Sequence, residues 1–228
     1  MPELAGLLHS ISVWLLPALL AITLHEAAHG YVANALGDPT ARLAGRLSLN
    51  PIRHIDPVGT IFLPGLMLLV GSNFFFGWAK AVPVDMRYLR SPRRDMAIVA
   101  AAGPLINLAM ALIAALLLHG LQYMPDVASD WARENLLNAI KFNVILAVFN
   151  LMPIPPLDGG RVAVGVLPLF LARPLARLEN IGMLIVMGFA FIIPMVSAQA
   201  GYPLNPLGWL LSGPINAAIV AILTLAGW

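Results

Sequence analysis

The sequence has no cysteine, and only 11% of its 228 residues are charged. Without thiols there is no disulfide framework, no thiolate nucleophile and no cysteine-type zinc site, so any metal must be held by His and carboxylate. A soluble domain carries roughly 25% charged residues, so the shortfall excludes an ordinary globular surface. A 60% hydrophobic content excludes disorder as well. Thirteen Lys and Arg against eleven Asp and Glu leave a net charge of only +2. That is too few bases to follow a phosphate backbone, so nucleic acid is not an expected partner. The longest polar stretch, Val84 to Asp95, is loop-sized, and no internal repeat or low-complexity tract interrupts the chain. The expectation is a single membrane-embedded domain over residues 1–228, with a core over 10–161 and C-terminal helices over 162–228.

What is present is apolar. A membrane helix needs about 20 mostly apolar residues. Leu4–Leu24, Pro57–Ala79 and Met96–Pro125 contain no Asp, Glu, Lys or Arg. Phe142–Leu157 is shorter, but Asn135–Ile140 extends it backwards with only Lys141 between. Everything from Asn180 to Trp228 is uncharged, enough for two spans, with Pro194, Gly201, Pro203 and Pro206 marking a break. No Lys or Arg precedes Arg42, so the first run reads as a retained span and not a cleavable leader. The predicted fold is an all-α polytopic membrane protein of about five to six membrane segments, with a re-entrant or β-like insertion after the first. The lipid bilayer is its first expected partner.

The chemistry lies at the end of the first run. His25-Glu26-Ala27-Ala28-His29 is an HExxH pattern. On a helix, positions i and i+4 share a face, so both imidazoles can address one ion, with Glu26 one residue round. Zinc takes neutral imidazoles, and a catalytic site keeps a position for water whose proton Glu26 would accept. Chance is the competing explanation for five residues. The preceding uncharged run argues against it, because ionisable groups at membrane depth are costly and functional by default.

Two imidazoles need a third donor. Beyond Arg94 the carboxylates are Asp95, Asp126, Asp130, Glu134, Asp158 and Glu179. Only Asp158 closes an apolar segment inside a Pro/Gly-rich signature, Asn150-Leu151-Met152-Pro153-Ile154-Pro155-Pro156-Leu157-Asp158-Gly159-Gly160. Three prolines forbid a regular helix there. Irregular backbone at depth is tolerated only where protein buries it or it lines a wet cavity. Asp158 is therefore expected as the third ligand; capping a helix that starts near Gly160 is the alternative.

Together, the HExxH, Ala102-Gly103-Pro104-Leu105-Ile106-Asn107 and the Asn150–Gly160 signature resemble the site-2 protease family of intramembrane zinc metalloproteases. The motifs cover Leu24 to Arg161, in the family's order. The resemblance implies that His25, His29 and Asp158 hold Zn2+, that Glu26 is the base, and that Asn150 helps to hold substrate or the oxyanion. It gives Asn107 a supporting role. It also implies a transmembrane protein or peptide as substrate. The chain departs from better-known members: it shows no room for a PDZ or CBS domain and carries an extra stretch, about 48–95.

Metal geometry constrains topology. The His pair and Asp158 both lie toward the C-terminal ends of their helices, so those helices must run the same way, with an even number of crossings between. Met96–His119 and about Asn138–Leu157 supply two. Pro57–Phe76 should then enter and leave on one side, with Pro64-Gly65 as its turn, the alternative being an ordinary span, which its length allows. Counting bases agrees. That arrangement puts Arg42, Arg46, Arg53, Lys80, Arg87, Arg90, Arg93, Arg94, Arg161, Arg173 and Arg177 on the side where the HExxH helix exits, against Arg133 and Lys141. The positive-inside rule then places the active site toward the cytoplasmic face of the cell (inner) membrane.

Three further readings complete the picture. Gly77–Val84, with Trp78, Ala79, Ala81 and Val82 as substrate-binding candidates, reads as an edge strand limited by Pro83, or as a surface loop. In the resembled family such β-structure is thought to pair with an unwound substrate helix. His54 could approach the metal cavity as a donor, and so joins the catalytic candidates. Its plainer reading is a turn residue bonded to backbone. Intramembrane proteolysis is the expected function. Its rivals are a divalent-metal transporter, to which Glu26 at a fixed HExxH position brings nothing, and a non-catalytic homologue, which the intact ligand set argues against.

Overall fold

The computed structural model describes residues 2–62, 66 and 79–228. Helix α1 (Pro2–Ala35) is continuous through Pro17 and carries the HExxH well inside its length. Gly37 (φ +113°) ends it by adopting a conformation that L side chains avoid. Short α2 (Thr40–Leu43) and a tight turn at Pro51–His54 follow. The chain returns to the described region at Ala79 and enters α3 (Pro92–Leu117), whose Pro92 sits in the first turn, where no amide is needed. A tight helical turn, Leu118–Tyr123, reverses it into α4 (Asp126–Asn150). After the proline-rich turn come α5 (Asp158–Val166), α6 (Leu169–Arg177), α7 (Glu179–Met187), α8 (Ile193–Gln199) and α9 (Pro206–Leu225).

Among the described residues, four stretches are long and apolar enough to cross a membrane: His9–Ala35, Pro92–Tyr123, Glu179–Gln199 and Pro206–Leu225. The helix over the crossing expected at Asn138–Leu157 is not among these four. Helix α4 begins earlier, at Asp126, and stops at Asn150, because prolines 153, 155 and 156 remove amides from the C-terminal part of that run. Pro194 does not break the C-terminal pair either. The helix widens at Gly188–Ile192 just before it and continues to Gln199; the reversal comes at Gly201 (φ +81°).

Side-chain contacts fix the directions of the helices. His9 meets Glu134 at 3.0 Å, Trp131 Nε1 donates to Ser12 Oγ at 2.9 Å, and Asn138 Nδ2 donates to the Val13 carbonyl at 2.8 Å. Further along, Trp14 packs edge-on against Phe142, and Ala21 and Asn143 meet the same Asn107 carboxamide, so contacts advance together along the two helices and α1 and α4 run parallel. Helix α3 runs against both, since its Val99 meets His29 while its Asn107 meets Ala21 and Asn143. The parallel pairing demanded by the metal argument is present. An apolar core of Ala111, Ala115, Leu118, Ile140, Val144 and Ile222 binds α3, α4 and α9.

Most of Pro57–Phe76, with the Pro64-Gly65 turn and Trp78, lies outside the described residues. Its flanks are described. Lys80 donates its amide to the His54 carbonyl at 2.9 Å, and Arg46 donates to the Lys80 carbonyl at 2.6 Å, so the chain returns to the level it left. No strand forms among the described residues. Ala79–Asp85 is irregular chain lying along α1 instead of an edge strand in a sheet.

Candidate metal centre

His25 and His29 project from one face of α1, four residues apart, as the helical repeat requires. Their Nε2 atoms are 3.1 Å apart. Asp158 Oδ2 lies 3.1 Å from His25 Nε2 and 3.4 Å from His29 Nε2. Among the described residues this is the group of three such side chains placed to share an ion. Asp158 opens α5 without a side-chain capping bond, so the capping alternative is not realised and its carboxylate turns to the imidazoles.

The other ring nitrogens settle the protonation. His29 Nδ1 donates to the Val99 carbonyl at 2.7 Å, an oxygen that can only accept. His25 Nδ1 donates to Asn107 Oδ1 at 2.5 Å. With both Nδ1 atoms carrying protons, each neutral ring presents a bare lone pair at Nε2. Asp158 Oδ2 is buried with no hydrogen bond. Two nitrogen lone pairs and a carboxylate oxygen thus converge in a buried place, an arrangement that repels itself unless a cation lies between them. Zinc bonds of about 2.0–2.1 Å at tetrahedral angles would hold ligand atoms about 3.3 Å apart, and the separations of 3.1, 3.1 and 3.4 Å match. The donor set fits Zn2+.

Glycines allow this closeness. A Cβ on Gly103 would stand 2.6 Å from His25 Cε1 and from His29 Cε1 and Nε2, so only glycine lets α3 approach the imidazoles. Pro104 beside it is fully buried, and Asn107 lies one turn further along the same helix. On the other side, a Cβ on Gly159 would stand 2.1 Å from the Leu151 carbonyl oxygen, and one on Gly160 2.2 Å from the Pro155 nitrogen. These two glycines let α5 start directly against the proline turn, and that start delivers Asp158.

The ligands open into a cavity of about 400 Å³ whose lining includes Glu26, Ala79, Ala81, Val82, Asn150 and Arg161. Glu26 accepts a hydrogen bond from the Val82 amide at 2.9 Å, which ties the HExxH helix to the returning segment. Asn150 Nδ2 donates to the Leu146 carbonyl at 3.0 Å, and the residue faces the same cavity. His54 is not brought to the cluster. It is buried beside a separate cavity lined by Leu15, Ala18, Thr23 and Phe142, and its Nε2 donates to the Ser48 carbonyl at 2.8 Å, the turn role.

Sequence reasoning missed two buried polar residues near the site. Asp38, fully buried, accepts from the Thr40 amide and hydroxyl through Oδ1 and from the Asp85 amide through Oδ2 at 2.7 Å. It pins the end of α1 to the segment that holds Glu26, and its signal was a Gly-Asp-Pro turn. Asn143 is also fully buried and bonds to Asn107. Its signal in the sequence is an amide within an otherwise apolar run, Phe142–Phe149.

Residues 122–193, from before α4 into α8 and including the proline turn and Asp158, match the description of peptidase family M50. A Bacillus subtilis (strain 168) protein named as zinc metalloprotease YwhC is 37% identical over 194 residues, covering 83% of this chain and 82% of its own. A Mycobacterium tuberculosis protein named as zinc metalloprotease Rip2 is 34% identical over 141 residues, and its Mycolicibacterium smegmatis counterpart 33% over 144 residues. In both cases the matched region is about half of the relative, 52% of its length. No solved structure matches the chain. With the convergent donor set and the matched length of YwhC, the chain belongs to peptidase family M50.

Proposed function

We propose that this protein hydrolyses peptide bonds in or beside the transmembrane segments of other membrane proteins, with its catalytic cavity open to the cytoplasmic side. The observation carrying the reading is the convergence of His25, His29 and Asp158 on one point, in a cavity that also holds Glu26, between helices of membrane length.

Zn2+ held by His25, His29 and Asp158 would polarise the scissile carbonyl and acidify water. The protein's residues do the rest. Glu26 keeps one carboxylate oxygen on the Val82 amide, and its other oxygen takes the proton of the attacking water. The same carboxyl group then returns that proton to the departing amine. Asn150 presents its carboxamide to the bound peptide from the cavity wall, where it steadies the strand or the developing oxyanion.

A transmembrane helix hides its amides, so cleavage needs an extended substrate. Ala79–Asp85 is suited to receive one. The amides of Lys80, Val82 and Asp85 are spent on His54, Glu26 and Asp38, whereas Ala79 and Ala81 line the cavity. Ala79 and Ala81, on the cavity wall with their amides not spent in this way, offer their backbone to an extended substrate. Pro83 has no amide, which keeps that pairing short. The cytoplasmic orientation rests on the excess of bases among residues 42–94, at the end of α1 and α3 nearest the site.

The test compares wild type with Glu26→Gln, purified in detergent and reconstituted with transmembrane peptides. Wild type should release fragments, and Glu26→Gln should keep its zinc while losing cleavage by about 10²–10⁴-fold. Zinc flux that persists in Glu26→Gln vesicles, with no cleavage by either protein, would establish the transporter reading instead.

A further inference from the structure

We propose that Asn143, a residue of α4 that touches neither metal ligand nor cavity, is a positioning residue of the metal centre: acting through Asn107, it fixes the tautomer and ring plane of His25. The inference rests on the zinc reading above and extends it to a helix that supplies no ligand.

Asn143 is fully buried, and its Nδ2 donates back to the Ala139 carbonyl at 2.9 Å. That bond turns its Oδ1 toward α3, where it accepts from Asn107 Nδ2 at 2.7 Å. The second proton of Asn107 Nδ2 goes to the Ala21 carbonyl of α1 at 3.1 Å. Both amide protons of Asn107 are then committed, and its Oδ1 is the atom left to face His25 Nδ1, at 2.5 Å. An acceptor there requires a proton on Nδ1, and a neutral ring with Nδ1–H has a bare Nε2. That is the nitrogen facing His29 and Asp158.

Turning the Asn107 carboxamide by half a rotation reverses the outcome. Its NH2 would then face His25 Nδ1 and require a lone pair there, which puts the proton on Nε2 and removes the ligand. That rotation also sets Asn107 Oδ1 against Asn143 Oδ1 and the Ala21 carbonyl, two oxygens that can only accept. Asn143 is thus one of two guards on the orientation, and the one that mutation can remove, since the other is backbone. It also accounts for its own burial: an amide at this depth is costly unless its bonds specify something.

Outer partners of metal ligands commonly contribute 10–100-fold to metal affinity. Asn143 acts one bond further out and shares its task with Ala21, so Asn143→Leu should weaken zinc binding by about tenfold. Asn143→Asp, held as the neutral acid at this depth, donates its O–H to the Ala139 carbonyl, keeps the accepting oxygen toward Asn107 and should bind within about threefold of wild type. Affinity is read by competition with a chromophoric chelator on the full-length protein in detergent, and ligand geometry by the visible spectrum of the Co2+ form. Circular dichroism and gel filtration identify a variant that has lost its fold.

A second measurement does not depend on any variant folding. In metal-free wild-type protein labelled with 15N-histidine, the His25 nitrogen shifts should report a proton on Nδ1, the nitrogen that faces Asn107 Oδ1. A folded Asn143→Leu that matches wild type in zinc affinity and Co2+ spectrum overturns the proposal, as does a wild-type His25 whose Nδ1 carries no proton. Failure of wild type to bind zinc at all would sink the metal reading, but the His25 shifts compared between wild type and Asn143→Leu would still judge Asn143.

Discussion

Gly103→Ala tests the packing logic of the site with a single methyl group. The added Cβ would stand 2.6 Å from three imidazole atoms, about 0.8 Å inside ordinary contact, which begins near 3.4 Å. The imidazoles cannot swing aside, because each is tied at Nδ1 to α3 itself, through Val99 and Asn107. The helices must therefore separate by something near that distance. Separation stretches the 2.5 Å and 2.7 Å bonds that fix both tautomers to well beyond 3 Å, where they are no longer strong hydrogen bonds. Overpacking of this kind costs about 1–3 kcal/mol, and losing an outer partner of a metal ligand costs about 10–100-fold in affinity. We expect a folded protein with a melting temperature lowered by several degrees, zinc affinity reduced by at least about tenfold and cleavage reduced at least as much. The assay measures zinc per chain after dialysis against graded free-zinc buffers, alongside thermal unfolding followed by circular dichroism. A Gly103→Ala protein with wild-type zinc affinity would refute the claim that helix proximity sets the ligand geometry.

Other outcomes follow from the same contacts. Asp158→Ala should leave the helices formed but remove stable zinc binding, visible as metal lost on dialysis, because two imidazoles alone do not close the site. Val82→Pro deletes the amide that holds Glu26, so kcat should fall about tenfold or more with zinc content unchanged, whereas Val82→Ala keeps the amide and should stay near wild type. Chelation of zinc should lower the unfolding temperature reversibly, since a ligand that binds only the folded state stabilises it by mass action, about 2.7 kcal/mol at a hundredfold excess over Kd. His54→Ala should retain full zinc occupancy and lose stability only; zinc loss in that variant would contradict its separation from the ligands.

How much was legible in the sequence differs from residue to residue. HExxH declares its own geometry, because helical spacing alone puts His25 and His29 on one face. Asp158 could be chosen by elimination, since carboxylates are few and only one closes an apolar run. The parallel course of α1 and α4 also followed from the sequence, because one ion cannot be reached from two sides of a membrane. Where α4 begins did not. Charges at Asp126, Asp130, Arg133 and Glu134 concealed its first half, while apolar residues 151–157 suggested a longer end than prolines permit.

The amino-acid sequence by itself determined the membrane-helical class, the donor chemistry and the order of the motifs, since these depend on composition and on spacing along one helix. Only the tertiary structure decided what Gly103, Asn107, Asn143 and Asp38 do. Gly103 is empty space that matters because α1 lies across it. Asn107 has meaning only when α1 supplies Ala21 and α4 supplies Asn143. Hydrogen bonds between residues 36 or 86 positions apart leave no periodic trace in a chain, because direction and proton ownership arise only once the helices have packed.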